Sequence, residues 1–214
     1  MIARPRTLAL VLGTATEVGK TWVTCRVLEQ LRAGGTAVAA RKPVQSWDPH
    51  DVAAGERLDA ELLAEASAER PEQVCRPERS FPVAVAPPMA AARLGRGPLR
   101  LAELVAELSW PEHTELGFVE AAGGVRSPVA DDGDGIALAG ALRPEVVVLV
   151  ADAGLGTIHA VRSSADGLGR ASLVVHLNRY DGANRLHREN RDWLVERDGF
   201  TVTTTITDLV DTIL

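Results

Sequence analysis

Residues 13–21 read Gly-Thr-Ala-Thr-Glu-Val-Gly-Lys-Thr and directly follow the apolar run 8–12. A G-x-x-x-x-G-K-[ST] pattern between a strand and a helix is typical of the phosphate-binding P-loop. Its glycines let backbone N–H groups surround phosphates, while Lys20 can reach the terminal phosphates and the Thr21 hydroxyl can help hold Mg²⁺. The positive end of the following helix also attracts the anion. The sequence therefore predicts that the chain binds a nucleoside triphosphate.

The bulk composition is that of an ordinary globular protein. The 214 residues are 46% hydrophobic and 24% charged, with a formal net charge of −6, and one domain spanning 1–214 is the simplest expectation. The charge and the scattered arginines argue against a nucleic-acid partner. Apolar runs such as 146–151 are too short to cross a bilayer. We expect a cytoplasmic protein with no membrane partner.

The alternation of apolar runs with helix-like segments predicts the fold class. An α/β fold is expected, with a single-domain P-loop architecture and a mostly parallel sheet covered by helices on both faces. The predicted strands are 7–13, 36–41, 115–120, 145–151, 171–177 and 200–205. The predicted helices are 20–33, 57–68, 98–108, 157–167, 183–198 and 207–213. The proline-rich segment 70–97 shows little periodicity, and we interpret it as an extended excursion over the surface.

Two further loops after predicted strands carry residues suited to phosphate chemistry. Ligands of open α/β sheets lie beyond the carboxyl ends of the strands. The second predicted strand is followed by Lys42 and Ser46, and a second cation there would stabilise charge on a γ-phosphate. Another strand ends at Glu120, which suits Mg²⁺ coordination beside phosphates, and Gly123 would permit close approach of the backbone to a ligand.

Four motifs in order resemble the dethiobiotin synthetase family over most of the chain. They are G-T-x-T-E-V-G-K-T at 13–21, K-P-V-Q-S at 42–46, V-E-x-A-G-G at 119–124 and A-G-L-G-T-I at 153–158. The resemblance implies a homodimeric ligase of biotin biosynthesis that depends on ATP and Mg²⁺. Members of the family phosphorylate the carbamate formed from 7,8-diaminononanoate and CO₂, and then close a cyclic urea as the second amine displaces phosphate.

The resemblance also implies roles for individual residues. Lys42 and Lys20 would act on the transferring phosphoryl group, and Asn178 would read the adenine edge. The expected ATP-site residues are Gly13, Thr16, Glu17, Val18, Gly19, Lys20, Thr21, Trp22, Glu120, Gly123 and Asn178. The expected metal ligands are Thr21, Asp59 and Glu120, with Asp48 and Asp51 as less well aligned alternatives to Asp59. The expected substrate contacts are Thr16, Ser46 and the loop Gly154, Leu155, Gly156, Thr157 and Ile158, the last five across a dimer interface.

Several positions depart from the family pattern and leave alternatives open. Ala15 stands where aspartate is usual, Ala121 where glycine is usual, and His159 where asparagine is usual. Trp47 follows Ser46 in place of a glycine and is expected to crowd whatever lies beside that serine. A paralogue with another amine or carboxylate acceptor therefore stays open, as does a regulatory ATPase of the partitioning type. Nucleotide preference and a substrate site shared between subunits stay open as well.

Overall fold

A computed structural model describes residues 4–169 and 173–214. Along the chain, the first half contains β1 (Thr7–Gly13), α1 (Lys20–Ala33), β2 (Val38–Arg41), β3 (Gln45–Ser46), α2 (Pro49–Ala53), α3 (Asp59–Ser67), α4 (Pro71–Val74), a 3₁₀ turn (Pro77–Arg79), β4 (Ser80–Phe81), α5 (Pro87–Arg93) and α6 (Leu101–Ala106). The second half contains β5 (Leu116–Glu120), α7 (Gly135–Leu142), β6 (Val146–Asp152), α8 (Thr157–Ala165), β7 (Leu173–Asn178), α9 (Arg185–Glu196), β8 (Thr201–Thr203) and α10 (Ile206–Ile213).

Six of the strands in the described ranges form one parallel sheet in the order β2-β5-β1-β6-β7-β8. The first strand is central because it pairs with β5 on one side and β6 on the other. Parallel strands end at the same edge, so the loops after β1, β5 and β6 meet there. The strands that follow β1 in the sheet lie on both of its sides, so the order of the strands reverses at β1. Open α/β sheets form their ligand crevice at such a point.

Both faces of the sheet are buried. On β1, Leu8, Leu10 and Leu12 point into one apolar cluster, whereas Ala9 and Val11 point into the other. Residues from α1, α3 and α10 complete the second cluster, and residues from α5 to α9 contribute to the first. Alternate residues of a strand face opposite sides, so a run that is apolar throughout is explained by helices on both faces.

The predicted α/β architecture is confirmed, with six principal strands and six principal helices close to their expected positions. Residues 171 and 172 of the predicted strand 171–177 lie outside the described residues, and β7 is assigned from Leu173. The sequence did not predict the short elements α2, α4, α5, α7, β3 and β4. None of the described helices is both long and apolar enough to span a membrane.

The prediction of an extended surface excursion at 70–97 was wrong. This segment contains α4, β4 and α5, and it buries Phe81, Ala90 and Ala91 against the first apolar cluster. Pro71 and Pro87 stand at the first positions of helices, where a proline fits because the missing N–H would have no helical partner. The prolines therefore start short helices here, and they do not keep the segment extended.

Candidate functional site: a phosphate loop beside a buried charge cluster

The P-loop connects the end of β1 to the start of α1, as predicted. Lys20 folds back over the loop, and its Nζ donates a hydrogen bond to the carbonyl of Ala15 at 3.2 Å. A Cβ at Gly13 would lie only 2.9 Å from the Cδ of Lys20. Glycine at position 13 is therefore needed for the Lys20 side chain to lie across the loop. Gly19, with φ of 89°, lies in the left-handed region immediately before the helix, a conformation that glycine adopts without steric cost.

A cavity of about 560 Å³ opens above this loop. It contains most of the predicted phosphate and metal residues together with Ser46, although they come from distant parts of the chain. Its lining includes Thr16, Glu17, Gly19, Lys20, Thr21, Trp22, Lys42, Gln45, Ser46, Asp59, Ala84, Val85, Ala86, Pro87, Ala122, Gly123 and Ser127. The size and the convergence of polar groups suit a small-molecule site.

A charge cluster lies at the floor of the cavity. The Nζ of Lys42 is 2.7 Å from Oδ2 of Asp59 and 2.7 Å from Oε1 of Glu120. The Oγ of Thr21 lies 2.8 Å from both Oδ1 of Asp59 and Oε1 of Glu120, so its single hydrogen can be donated to either carboxylate. The second oxygen of Glu120 accepts a hydrogen bond from Thr24 at 2.8 Å. Glu120 is therefore fixed by three partners at the end of β5.

Burial and neighbouring charge set the protonation of this cluster. Burial by itself lowers the pKa of the Lys42 ammonium, but Asp59 and Glu120 outweigh it and raise that pKa above its ordinary value. Burial raises the pKa of the Asp59 carboxyl, and Lys42 more than offsets this, so the net direction is downward. Lys42 and Asp59 are thus held in their charged forms. The pKa of Lys20 is lowered by burial and by the charge of Lys42, against the opposite influence of Glu120 and Asp59.

The predicted metal ligands meet at one place. The hydroxyl of Thr21 and the carboxylates of Asp59 and Glu120 are hard oxygen donors that already contact one another. Mg²⁺ commonly binds one or two carboxylates and keeps several waters, and this donor set fits it. Within 4–169 and 173–214, no group of three or more His, Cys, Asp and Glu side chains is arranged for a metal. A cation here would accordingly need the hydroxyl, water or phosphate oxygens as further ligands.

Ser46 lines the cavity, but Trp47 takes a different direction. Ser46 donates from its hydroxyl to the carbonyl of Val85 at 2.5 Å. The indole N–H of Trp47 donates to the hydroxyl of Ser80 at 3.1 Å, and Trp47 is absent from the described cavity lining. The expected crowding beside Ser46 is therefore wrong, because the indole of Trp47 is held against Ser80 outside the described lining.

Sequence reasoning missed several residues of the site. Thr24 holds Glu120, and Gln45 accepts a hydrogen bond from the first turn of α3 through the Ala60 N–H at 3.1 Å. The spacing of Thr24 four residues after Lys20 on one helix was a usable signal, since such residues share a face. The wall formed by 84–87 had no comparable signal, because it belongs to the segment interpreted as a surface excursion.

A second cavity, of about 660 Å³, adjoins the first. The two share Gly19 and Trp22, and the second is also lined by His176, Leu177, Asn178, Arg179, Tyr180, Thr204, Thr205 and Ile206. Asn178 ends β7 and donates from its Nδ2 to the carbonyl of Val18 at 2.9 Å. Asn178, the residue predicted to read adenine, therefore also anchors the phosphate loop through its amide nitrogen.

A pH dependence of stability is expected from His176. This residue is buried on β7 with its Nδ1 3.0 Å from the hydroxyl of Thr203, and burial lowers its pKa from 6.5 to about 4, against an opposing influence of Asp208. Between those two values the unfolded chain binds more protons than the folded one, so stability falls as pH falls. We expect this residue to account for a loss of about 2 kcal/mol between pH 7.5 and pH 5.

Urea unfolding at several pH values checks that expectation. A His176→Gln variant should show a shallower dependence of the unfolding free energy on pH over this window, whatever its absolute stability. Replacing the exposed His50 with Gln should leave the slope unchanged. Equal slopes for the His176 variant and the unaltered protein would show that His176 does not carry the effect.

The loop 154–158 lines neither of these two cavities. It is held by Asp152, whose Oδ1 accepts from the N–H of Gly154 at 2.8 Å and whose carbonyl accepts from the hydroxyl of Thr157 at 2.5 Å. Asn190 adds a hydrogen bond to the carbonyl of Gly154 at 2.9 Å. Leu155 at the tip is 91% exposed. The two described cavities therefore do not include these five predicted substrate residues.

Solved structures support the architecture. The FtsY protein of Elizabethkingia anophelis superposes with a TM-score of 0.56 and 12% identity, over 99% of this chain and 66% of that one. Chloroplast FtsY from Physcomitrella patens gives a TM-score of 0.54 with 16% identity over the same shares of the two chains. At these identities the likeness concerns the fold alone.

Sequence relatives identify the family. Residues 7–179 match the family described as AAA domain. The chain is 39% identical to ATP-dependent dethiobiotin synthetase BioD of Anaeromyxobacter sp. (strain K), over 77% of this chain and 72% of the relative. It is 38% identical to the protein of that name from Caulobacter vibrioides (strain NA1000 / CB15N), over 77% of each chain. This chain therefore belongs to the dethiobiotin synthetase family of ATP-dependent ligases, as its four motifs predict.

Proposed function

We propose that this protein converts 7,8-diaminononanoate and CO₂ to dethiobiotin in biotin biosynthesis, with ATP and Mg²⁺, through a phosphorylated carbamate. The observation that carries the proposal is the convergence of Lys20, Lys42, Thr21 and Asp59 at one cavity, in a chain of this family. The buried carboxylate of Glu120 contacts Lys42 and Thr21 of this group. The reaction brings an anionic carbamate against an anionic triphosphate. Fixed cations and metal ligands at that point are what such chemistry requires.

The phosphate loop would bind ATP. Thr16, Glu17 and residues 19–22 line the first cavity. Gly19 and Trp22 also line the second cavity, where Asn178 would meet adenine. Thr21, Asp59 and Glu120 would hold Mg²⁺, which when bound would offset the charge of the phosphate oxygens. Gly13 and Val18 would contribute by shaping the loop, since neither residue is part of the described cavity lining. Gly123, with φ of 70°, lets the loop after β5 approach the ligand.

Lys42 would act on the reacting groups as a permanent cation. Its ammonium is buried and kept charged by Asp59 and Glu120. A carbamate oxygen attacks the γ-phosphorus while ADP departs. The second amine, in its neutral form, then attacks the carbamoyl carbon, and phosphate departs with the proton that the amine loses. In both steps negative charge is redistributed near Lys42 and Lys20, where preorganised cations lower the barrier. Thr16 and Ser46 would orient the carbamate and the diamine, which lowers the entropic cost of ring closure.

The substrate carboxylate would be bound by the partner subunit of a homodimer. The loop 154–158 lines neither cavity of its own protomer, and Leu155 projects into solvent. The loop leads into α8, whose first turn offers N–H groups and a positive helix end to a carboxylate. We further propose that 1–214 acts as one domain in the cytoplasm, without nucleic-acid or membrane partners, in keeping with its net charge of −6.

Phosphate release by the purified protein tests the function. The reaction contains ATP, Mg²⁺ and bicarbonate, with and without 7,8-diaminononanoate, and the product is identified by mass. Diamine-dependent release with formation of dethiobiotin is the expected result. ATP binding without stimulation by the diamine would contradict the proposal and favour another acceptor, and stimulation by DNA or lipid would favour a regulatory ATPase.

A further inference from the structure

Two consecutive residues at the end of β7 hold two consecutive carbonyls of the phosphate loop. Asn178 donates from Nδ2 to the carbonyl of Val18 at 2.9 Å, and Arg179 donates from Nη2 to the carbonyl of Glu17 at 3.1 Å. The two strands concerned, β1 and β7, are not neighbours in the sheet, since β6 lies between them. These side chains therefore bridge from one strand end to the loop of another.

The backbone at both ends of the Arg179 contact is unusual. Glu17 has φ of 62° and Arg179 has φ of 56°, a region that costs a residue with a side chain on the order of 1 kcal/mol or more. Such a conformation persists where its surroundings hold it. In a phosphate-binding nest, successive N–H groups face the anion, so the carbonyls must be directed elsewhere. The hydrogen bonds to Glu17 and Val18 provide that direction.

Arg179 has a second contact on the opposite side. Its Nη1 lies 3.4 Å from Oδ2 of Asp152, and the other carboxylate oxygen of Asp152 accepts from the N–H of Gly154. One guanidinium thus joins the phosphate loop to the start of the loop 154–158. A planar fork of donors in fixed geometry suits this link better than a single ammonium would.

We propose that Arg179 is a positioning residue that holds the phosphate loop in its anion-binding conformation before nucleotide arrives. It acts through the carbonyl of Glu17, with Asp152 orienting the guanidinium, and it does not touch the phosphates. The proposal rests on the proposed function only in requiring that the loop binds nucleotide phosphates. It is independent of the identity of the amine acceptor.

Calorimetric binding of ADP with Mg²⁺, together with hydrogen exchange of nucleotide-free protein, tests the proposal. Arg179→Ala should weaken ADP roughly tenfold, the effect of losing one hydrogen bond from a charged donor. The same variant should exchange amide hydrogens faster in 13–21 without nucleotide. Arg179→Lys should recover part of both properties. Arg185→Ala removes an exposed arginine paired with Glu189 and should leave both within twofold of the unaltered protein.

The outcomes separate this proposal from its alternatives. Unchanged ADP affinity and exchange in the alanine variant would overturn it. Weakened ADP binding with unchanged exchange would overturn it too, because Arg179 would then contact the nucleotide directly. If the expected results hold while no preparation turns over the diamine, the positioning role stands and the proposed function fails. Melting temperatures of both Arg179 variants within a few degrees of the unaltered protein show that the fold is retained.

Discussion

Lys42→Ala is expected to lower diamine-dependent phosphate release by about 10²- to 10³-fold or more. The ammonium of Lys42 is buried at the cavity floor, 2.7 Å from each of two carboxylates. Lys20 keeps its own hydrogen bond to the phosphate loop. ADP binding should therefore stay detectable in the variant, and a coupled phosphate assay with calorimetry distinguishes the two effects.

The same substitution is expected to change stability in a metal-dependent way. Without Lys42, Asp59 and the fully buried Glu120 face each other with no cation between them. Removing one partner of a buried ion pair typically costs about 3–5 kcal/mol, discounted here because Asp59 is 41% exposed. Urea unfolding in EDTA should show this loss, and Mg²⁺ should restore part of it by supplying the missing positive charge.

Lys42→Met is the matched control for volume. It fills the space of the lysine stem without the charge, so it should share the loss of turnover while sparing the packing component of the stability loss. Turnover by Lys42→Ala within a factor of two of the unaltered protein would rule out the proposed role. Equal destabilisation of both variants in EDTA and in Mg²⁺ would rule out the electrostatic explanation.

Local patterns predicted the parts of the site that a short stretch of chain defines. The phosphate loop could be predicted because strand, turn and helix follow one another within about fifteen residues. Lys42 and Glu120 could be placed near it because both follow buried parallel strands. The composition offered a further signal, since Lys20 and Lys42 are the two lysines among 23 Lys and Arg residues. Arginine supplies the other basic side chains, so lysine is confined to this site.

Tertiary contacts decided what local patterns could not. Asp59 is a helix-start carboxylate like many others, and only the family resemblance selected it over Asp48 and Asp51. The structure brings Asp59 to Lys42 because α3 packs on α1 beside β2. The wall around Val85 could not be predicted, because its residues have neither periodicity nor charge. The link from Arg179 to Glu17 spans 162 positions of sequence, and no spacing rule reaches that far.

Glu120→Gln is expected to weaken Mg²⁺-dependent turnover more than it weakens the binding of nucleotide phosphates by the loop 13–21. The substitution keeps the shape of the side chain but removes one of the two charges that hold Lys42. It also replaces one carboxylate oxygen by an amide N–H₂, so the side chain can accept from Thr21 or from Thr24 but not from both. We expect the Mg²⁺ concentration for half-maximal turnover to rise at least about tenfold.

The stability of this variant should fall as well, because the buried ammonium of Lys42 loses one of its two counter-charges. A loss of about 1–3 kcal/mol is expected in urea unfolding. Exposed Glu196→Gln, on α9, is the charge-matched control and should leave both the Mg²⁺ titration and the unfolding free energy unchanged. An unaltered Mg²⁺ titration in Glu120→Gln would show that Glu120 is not a metal ligand. The buried carboxylate would then serve only to anchor Lys42, together with Asp59.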